Sequence, residues 1–192
     1  LFADDLWPGC FVLADMLCKY PFLCKNKHVL ELGAGSALPG IVASVLGAQN
    51  AVLTDYPELS VIENIEDIVK LNQLNNTIVL PHAWGSTVKP LLNSLRSSFS
   101  SIGIDTSSSN SCNNAHISID TENQASTTIK FDLILCAELL WKDTYSQHEQ
   151  LLRTLSQCIN PLSGLAIVTF VHRPTSIHTK EKDLEFFSIA TS

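Results

Sequence analysis

VLELGAGSALPG, residues 29–40, places three glycines within twelve residues, between two apolar runs. A strand that enters a glycine turn and leaves as a helix is a ligand-binding device of parallel α/β sheets. Glycine adopts conformations closed to other residues and lets backbone approach a ligand closely. HVLEL (28–32) reads as the short buried strand before the turn. A helix over 39–47 follows, with Pro39 in its first turn and Gly47 as its stop.

The same alternation extends outward. Residues 6–20 predict a helix entered after Pro8-Gly9, with Leu13, Met16, Leu17 and Tyr20 at helical spacing. AVLT (51–54) predicts a second strand, and the span from about Leu59 to Asn72 a helix with an apolar face of valines, isoleucines and leucines. TIVLP (77–81) predicts a third strand. Strand and helix in alternation predict a parallel α/β sheet. Residues 97–128 break the pattern: 18 of 32 positions are Ser, Thr or Asn, with no Lys or Arg. Such a segment buries too little to offset its ordering entropy. It is expected to be a flexible insertion within one domain over 1–192, because sheet logic resumes at once. Strands are predicted at 131–136 and 165–172, a helix at about 145–158, and a last helix at 180–192.

Composition narrows the function. The chain carries 45% apolar and 16% charged residues and a formal net charge of −7. No basic stripe suggests direct nucleic-acid binding. No apolar run nears the roughly 18 residues of a membrane span, and no signal peptide opens the chain. The six cysteines, at 10, 18, 24, 112, 136 and 158, form no CxxC pair, which argues against zinc. Most lie in apolar contexts and read as reduced core cysteines of a cytoplasmic protein.

The glycine turn admits few ligands. A dinucleotide fingerprint would need glycines at 33, 35 and 38, but position 38 is Leu and Gly40 comes two places late. No Gly-Lys-Ser/Thr follows, so the turn is not a P-loop. Glu31, two residues before Gly33, would repel a pyrophosphate and suit a cationic group. Asp55 ends the second strand 20 residues past Gly35, where an acid meets ribose hydroxyls in nucleotide-binding folds. A ribose without a phosphate, next to a cation, describes S-adenosylmethionine. Two rival readings remain here: an NAD-dependent oxidoreductase, and a tight turn with no ligand beside a solvated Asp55.

E-x-G-x-G with an acid after the second strand resembles the pattern of class I methyltransferases. Five stretches together resemble the seven-strand protein lysine methyltransferases of the methyltransferase-like group: LWPGCFVLAD (6–15), VLELGAGSALPGIVAS (29–44), LTDYP (53–57), AWG (83–85) and FDLILCAELLW (131–141). TDYP and VHRP (171–174) look most like the branch that methylates elongation factor 1A at its N-terminal amine and a neighbouring lysine, once labelled nicotinamide N-methyltransferase-like.

The resemblance implies a Rossmann-like, doubly wound, mostly parallel sheet with S-adenosyl-L-methionine as cofactor. It implies a monomer acting on a protein substrate, elongation factor 1A. Trp7, Glu31, Gly33, Ala34, Gly35, Asp55, Trp84 and Ala137 would line the cofactor pocket. Glu138 would stand where the substrate amine arrives, with Trp141 shaping that channel. Glu138 departs from the Asp more often expected in that branch. A seven-strand sheet also needs two strands beyond VTFVH, so the sequence is expected to stop short of the full domain. A nicotinamide-type small-molecule methyltransferase and a non-catalytic nucleotide-binding domain are the alternatives.

Overall fold

The computed structural model describes residues 5–97, 129–172 and 177–191. In chain order the elements are α1 (Pro8–Lys19), β1 (His28–Leu32), α2 (Leu38–Val45), β2 (Asn50–Asp55), α3 (Leu59–Leu71) and β3 (Thr77–Pro81). They continue with α4 (Lys89–Ser97), β4 (Leu133–Ala137), α5 (His148–Cys158), β5 (Leu165–Thr169) and α6 (Ile177–Ala190). Two short 3-10 segments, Pro21–Leu23 and Lys142–Gln147, complete the list. The strands form one parallel sheet in the order β3-β2-β1-β4-β5.

β1 is central, and every residue of it is buried. That explains its unbroken apolar run, since a parallel strand covered on both faces has no solvent side. Successive residues point to opposite faces. Val29, Leu133, Leu135 and Ala137 pack with Leu13 and Leu17 of α1 and Ala43 of α2. Ala51 and Leu53 pack with Val61 and Ile65 of α3. On the opposite face Leu30, Leu32, Val52, Ile134 and Cys136 meet Leu91 and Leu95 of α4, Leu151 and Leu155 of α5, and Phe186 of α6. Helices therefore cover both faces, the doubly wound α/β arrangement expected from the sequence.

Boundaries differ from expectation in several places. The helix expected at about 145–158 is split into the Lys142–Gln147 3-10 segment and α5, and β5 ends at Thr169, before His172. α4 had no counterpart in the sequence reading. Its core contacts Val88, Leu91 and Leu95 recur at helical spacing, but only just before the Ser-rich run. α6 begins at Ile177, earlier than the 180–192 expected. The insertion expected at 97–128 lies outside the described residues apart from Ser97 at the end of α4, as do Arg173 and Pro174 of the VHRP stretch.

Strand order reverses between β1 and β4: the chain moves outward to β2 and β3, then returns to the other side of β1. In open α/β sheets, ligands bind outside the carboxyl ends of the strands at such a switch point. The glycine turn leaves β1 there, and Glu138 follows β4 there.

Candidate active site

A cleft of about 360 Å³ opens at the switch point. Trp7, Gly33, Ala34, Gly35, Asp55, Trp84, Ala137, Glu138 and Trp141 all line it. The topology thus gathers residues from position 7 to position 141 at one end of the sheet.

The glycine turn builds its floor. Gly33 and Gly35 adopt φ of +61° and +51°. A Cβ on Gly33 would lie 2.5 Å from Leu139 Cδ2 and push that side-chain tip aside, and the positive φ would strain any other residue there. Ala34 N–H donates to Thr54 O across to β2 at 2.9 Å. Asp55 fixes the turn from the other side: its Oδ2 accepts from Gly35 N–H at 2.7 Å and its Oδ1 from Tyr56 N–H at 2.6 Å. Burial raises the Asp55 pKa, and these two N–H donors oppose the rise.

Glu31 requires a correction. It was expected beside the cofactor, but it does not line the cleft. It is 1% exposed on the central strand and points beneath the turn, where its Oε2 accepts from Gly40 N–H at 2.9 Å. Burial pushes its carboxyl pKa up to about 8, against the lowering effect of the Gly40 bond; the Asp55 charge adds to the rise. Gly40, two places late for the dinucleotide pattern, has a different function. A Cβ there would collide with Leu53 and with the Glu31 carboxylate. Only glycine lets α2 sit this close to the sheet.

The side of the cleft around Glu138 is assembled from distant parts. Glu138 follows β4 with φ +58° and is 7% exposed. Its Oε1 accepts from Gly9 N–H, in the first turn of α1, at 2.9 Å. Trp141 begins the Lys142–Gln147 3-10 segment, and its N–H donates to Thr144 Oγ1 at 3.2 Å. Thr144 Oγ1 also lies 2.7 Å from Leu139 O, closing the ELLW turn. Trp7 packs against the α1 core cluster and Trp84 against the opposite one, so each is both core residue and cleft wall.

Sequence reasoning missed several wall residues. His82, just past β3, is buried; its ring nitrogens lie 3.3 Å from Ser86 Oγ and 3.4 Å from Thr154 Oγ1. Burial lowers its pKa, which favours the neutral imidazole. Ser36 carries a buried hydroxyl oxygen with no partner among the described residues, inside the glycine turn. Its place in the quoted motif was the only available signal. Cys10 also lines the cleft, but burial first, then the Glu31 and Glu138 charges, push its thiol up to about 11. It remains a protonated thiol rather than a nucleophile.

The wall has a pronounced charge bias. Asp5, Asp55, Glu58 and Glu138 line the cleft, and among its described residues there is no Lys or Arg. No group of three or more metal-ligating side chains occurs among the described residues.

Comparison with known proteins agrees with this architecture. A family model described as lysine methyltransferase matches residues 2–97. The chain is 35% identical to the protein N-terminal and lysine N-methyltransferase EFM7 of Candida glabrata, over 97% of this chain and 61% of that protein. It is 31% identical to efm7 of Schizosaccharomyces pombe, over 100% of this chain and 64% of that protein. It therefore spans about three-fifths of these relatives' length. In three dimensions it is similar to SMU.776, solved in complex with SAH, with a TM-score of 0.54 and 13% identity over 94% of this chain and 40% of that one. Half of the sequence, carrying the glycine turn, Asp55 and Trp84, falls within the family match, and the chain belongs to the lysine methyltransferase family.

Proposed function

We propose that the cleft binds S-adenosyl-L-methionine and that the chain transfers its methyl group to a protein amine. The observation that carries this reading is the charge of the wall: acids without a single described cation. A pyrophosphate in such a cleft would face like charge without compensation, which disfavours NAD. A ligand with a sulfonium and an ammonium group meets attraction instead. The other features fit the same ligand. Gly33 and Gly35 leave space for close backbone approach, the Ser36 hydroxyl lacks a partner among the described residues, and Asp55 stands where a ribose would be held. Trp84 offers an aromatic face to the adenine. The SAH complex of SMU.776 and the names of the EFM7 relatives support the reading.

When bound, S-adenosyl-L-methionine supplies a methyl group activated by the attached sulfonium. The work left to the protein is positioning, which can contribute several kcal/mol. The amine must be neutral to attack. At pH 7 that costs about 4.6 kcal/mol for a lysine and about 1.4 kcal/mol for an α-amino group, from their ordinary pKa values. Glu138 would accept a hydrogen bond from the amine and orient it, with Trp141 walling the channel. A carboxylate also favours the charged amine, so Glu138 orients more than it deprotonates. Ala137 leaves room between cofactor and acceptor. Glu31 acts from below, holding α2 and the glycine turn through Gly40.

The substrate we infer is elongation factor 1A, through its N-terminal amine or a nearby lysine, in the cytoplasm. The TDYP stretch supports this choice, and the names of the EFM7 relatives support an N-terminal or lysine amine as the acceptor. Among the described residues no helix is long and apolar enough to cross a membrane. Mass spectrometry of elongation factor 1A incubated with the chain and S-adenosylmethionine tests the reading. Methylated amine, reduced at least about tenfold by Glu138→Gln with SAH affinity retained, is expected. Methylation unaffected by Glu138→Gln would remove Glu138 from its assigned role.

A further inference from the structure

We infer that Thr169, at the end of β5, is a positioning residue that fixes the Glu138 carboxylate through Gly9. The inference rests on the reading of Glu138 as the residue that meets the substrate amine. Three hydrogen bonds form a closed ring between segments far apart in sequence. Glu138 N–H donates to Thr169 O at 2.7 Å. The Thr169 hydroxyl donates to Gly9 O at 3.0 Å. Gly9 N–H donates to Glu138 Oε1 at 2.9 Å. Backbone, β-hydroxyl and carboxylate each contribute one link, and the ring ties together the ends of β4 and β5 and the start of α1.

Geometry explains why such a ring is needed. Glu138 sits at φ +58°, a left-handed conformation that is unfavourable for a non-glycine residue and has to be held by its surroundings. A glutamate carboxylate has three rotatable bonds between it and that backbone, so the backbone alone cannot aim it. Gly9 N–H does the aiming. It is one of the first-turn donors of α1 that have no carbonyl partner within the helix. A glycine at position 9 leaves room for this contact: a Cβ there would lie 2.7 Å from Glu138 Oε1 and displace the carboxylate. The Thr169 hydroxyl binds the Gly9 carbonyl, in the next peptide unit, and so ties the first turn of α1 to the end of β5 and sets the place from which the Gly9 N–H points. Serine would keep this link, and valine, nearly the same shape, would remove it. The ring also bears on Trp7, the residue before α1, which lines the same cleft. The set of the α1 start thus affects both walls.

The test compares Thr169→Val and Thr169→Ser in the full chain, alone and combined with Glu138→Gln. Three readouts are taken: kcat and KM with the protein substrate, SAH affinity by calorimetry, and hydrogen exchange at the Gly9 amide. Thr169→Val is expected to lower kcat about five- to tenfold, with SAH affinity within about twofold, and to speed exchange at Gly9. Thr169→Ser should restore both kcat and protection. In the Glu138→Gln background, Thr169→Val should cost less than about twofold more, because coupled residues are not additive. An unchanged Gly9 amide in Thr169→Val overturns the inference, as does a kcat loss that adds in full to that of Glu138→Gln. If Glu138→Gln alone leaves kcat intact while Gly9 exchange still responds to Thr169, the ring stands and the assigned role of Glu138 is what fails.

Discussion

The two halves of the cleft are built by different means. At its centre the proposed cofactor half is local: β1, the glycine turn, α2 and β2 lie within residues 28–55 and are held by backbone donors to two carboxyl groups, Glu31 and Asp55. The proposed acceptor half is long-range. Glu138 depends on Gly9, 129 residues away, and on Thr169. The 3-10 segment bearing Trp141 is backed by α6, where Tyr145 donates to Asp183 Oδ1 at 2.7 Å and His172 Nδ1 lies 2.8 Å from Asp183 Oδ2. A binding function that needs backbone proximity can be encoded in one contiguous stretch. A side chain that has to meet a variable substrate is aimed from several elements at once.

The largest effect is expected from Gly40→Ala. The new methyl would meet Leu53 and Glu31 on the central strands, where nothing exposed can yield. Overpacking of this kind costs about 3 kcal/mol and should abolish SAH binding along with it, as measured by denaturant unfolding and calorimetry. Wild-type stability in Gly40→Ala would mean that the cofactor half is not built on this close approach.

Asp183→Asn attacks the other half. Asp183 is 2% exposed and serves two partners, so the loss should be about 1–3 kcal/mol. Hydrogen exchange should rise across 142–147 and α6 while SAH affinity holds. A parallel fall in SAH affinity would show that the two halves are not separable.

The sequence displayed the two halves unequally. The glycine turn, β1 and Asp55 were legible because their chemistry is periodic and local: a buried strand, positive-φ glycines, and an acid 20 residues on from Gly35. Glu31 was legible as important but misplaced, since its place two residues before Gly33 does not show whether the carboxylate turns up to the cleft or lies beneath the turn. Counting from Val29 would have put it with the residues that face α2. Gly9, Thr169 and Asp183 were not legible at all. Nothing in LWPG or VTFVH announces a partner more than a hundred residues away, and nothing in KEKDLEFF announces Tyr145 or His172. The 97–128 insertion stays an expectation, because 98–128 lie outside the described residues.

Glu31 gives a subtler contrast. Its folded-state pKa, about 8, lies above the ordinary 4.5. The native state therefore holds a proton that the unfolded chain releases, and stability falls as pH rises from about 4.5 through about 8. Glu31→Gln cannot ionise, so its unfolding midpoint should vary less over that window and overtake the wild type towards the alkaline end. Parallel profiles for the two proteins would contradict the buried, proton-holding reading of Glu31. The smallest effect belongs to the surface of α6. Lys182 and Glu185 form an ion pair at 3.0 Å with both side chains about half exposed. Lys182→Ala should change stability by less than about 0.5 kcal/mol in thermal unfolding, which separates the buried Asp183 contacts from the helix's solvent face.

The most direct measurement of the central claim is calorimetric titration of the chain with S-adenosylhomocysteine, with NADH as the control ligand and Asp55→Ala as the control variant. Binding of S-adenosylhomocysteine but not NADH, lost in Asp55→Ala, is the predicted result. Binding of NADH, or S-adenosylhomocysteine affinity indifferent to Asp55, would contradict a cation-free cleft built to hold a ribose without a phosphate.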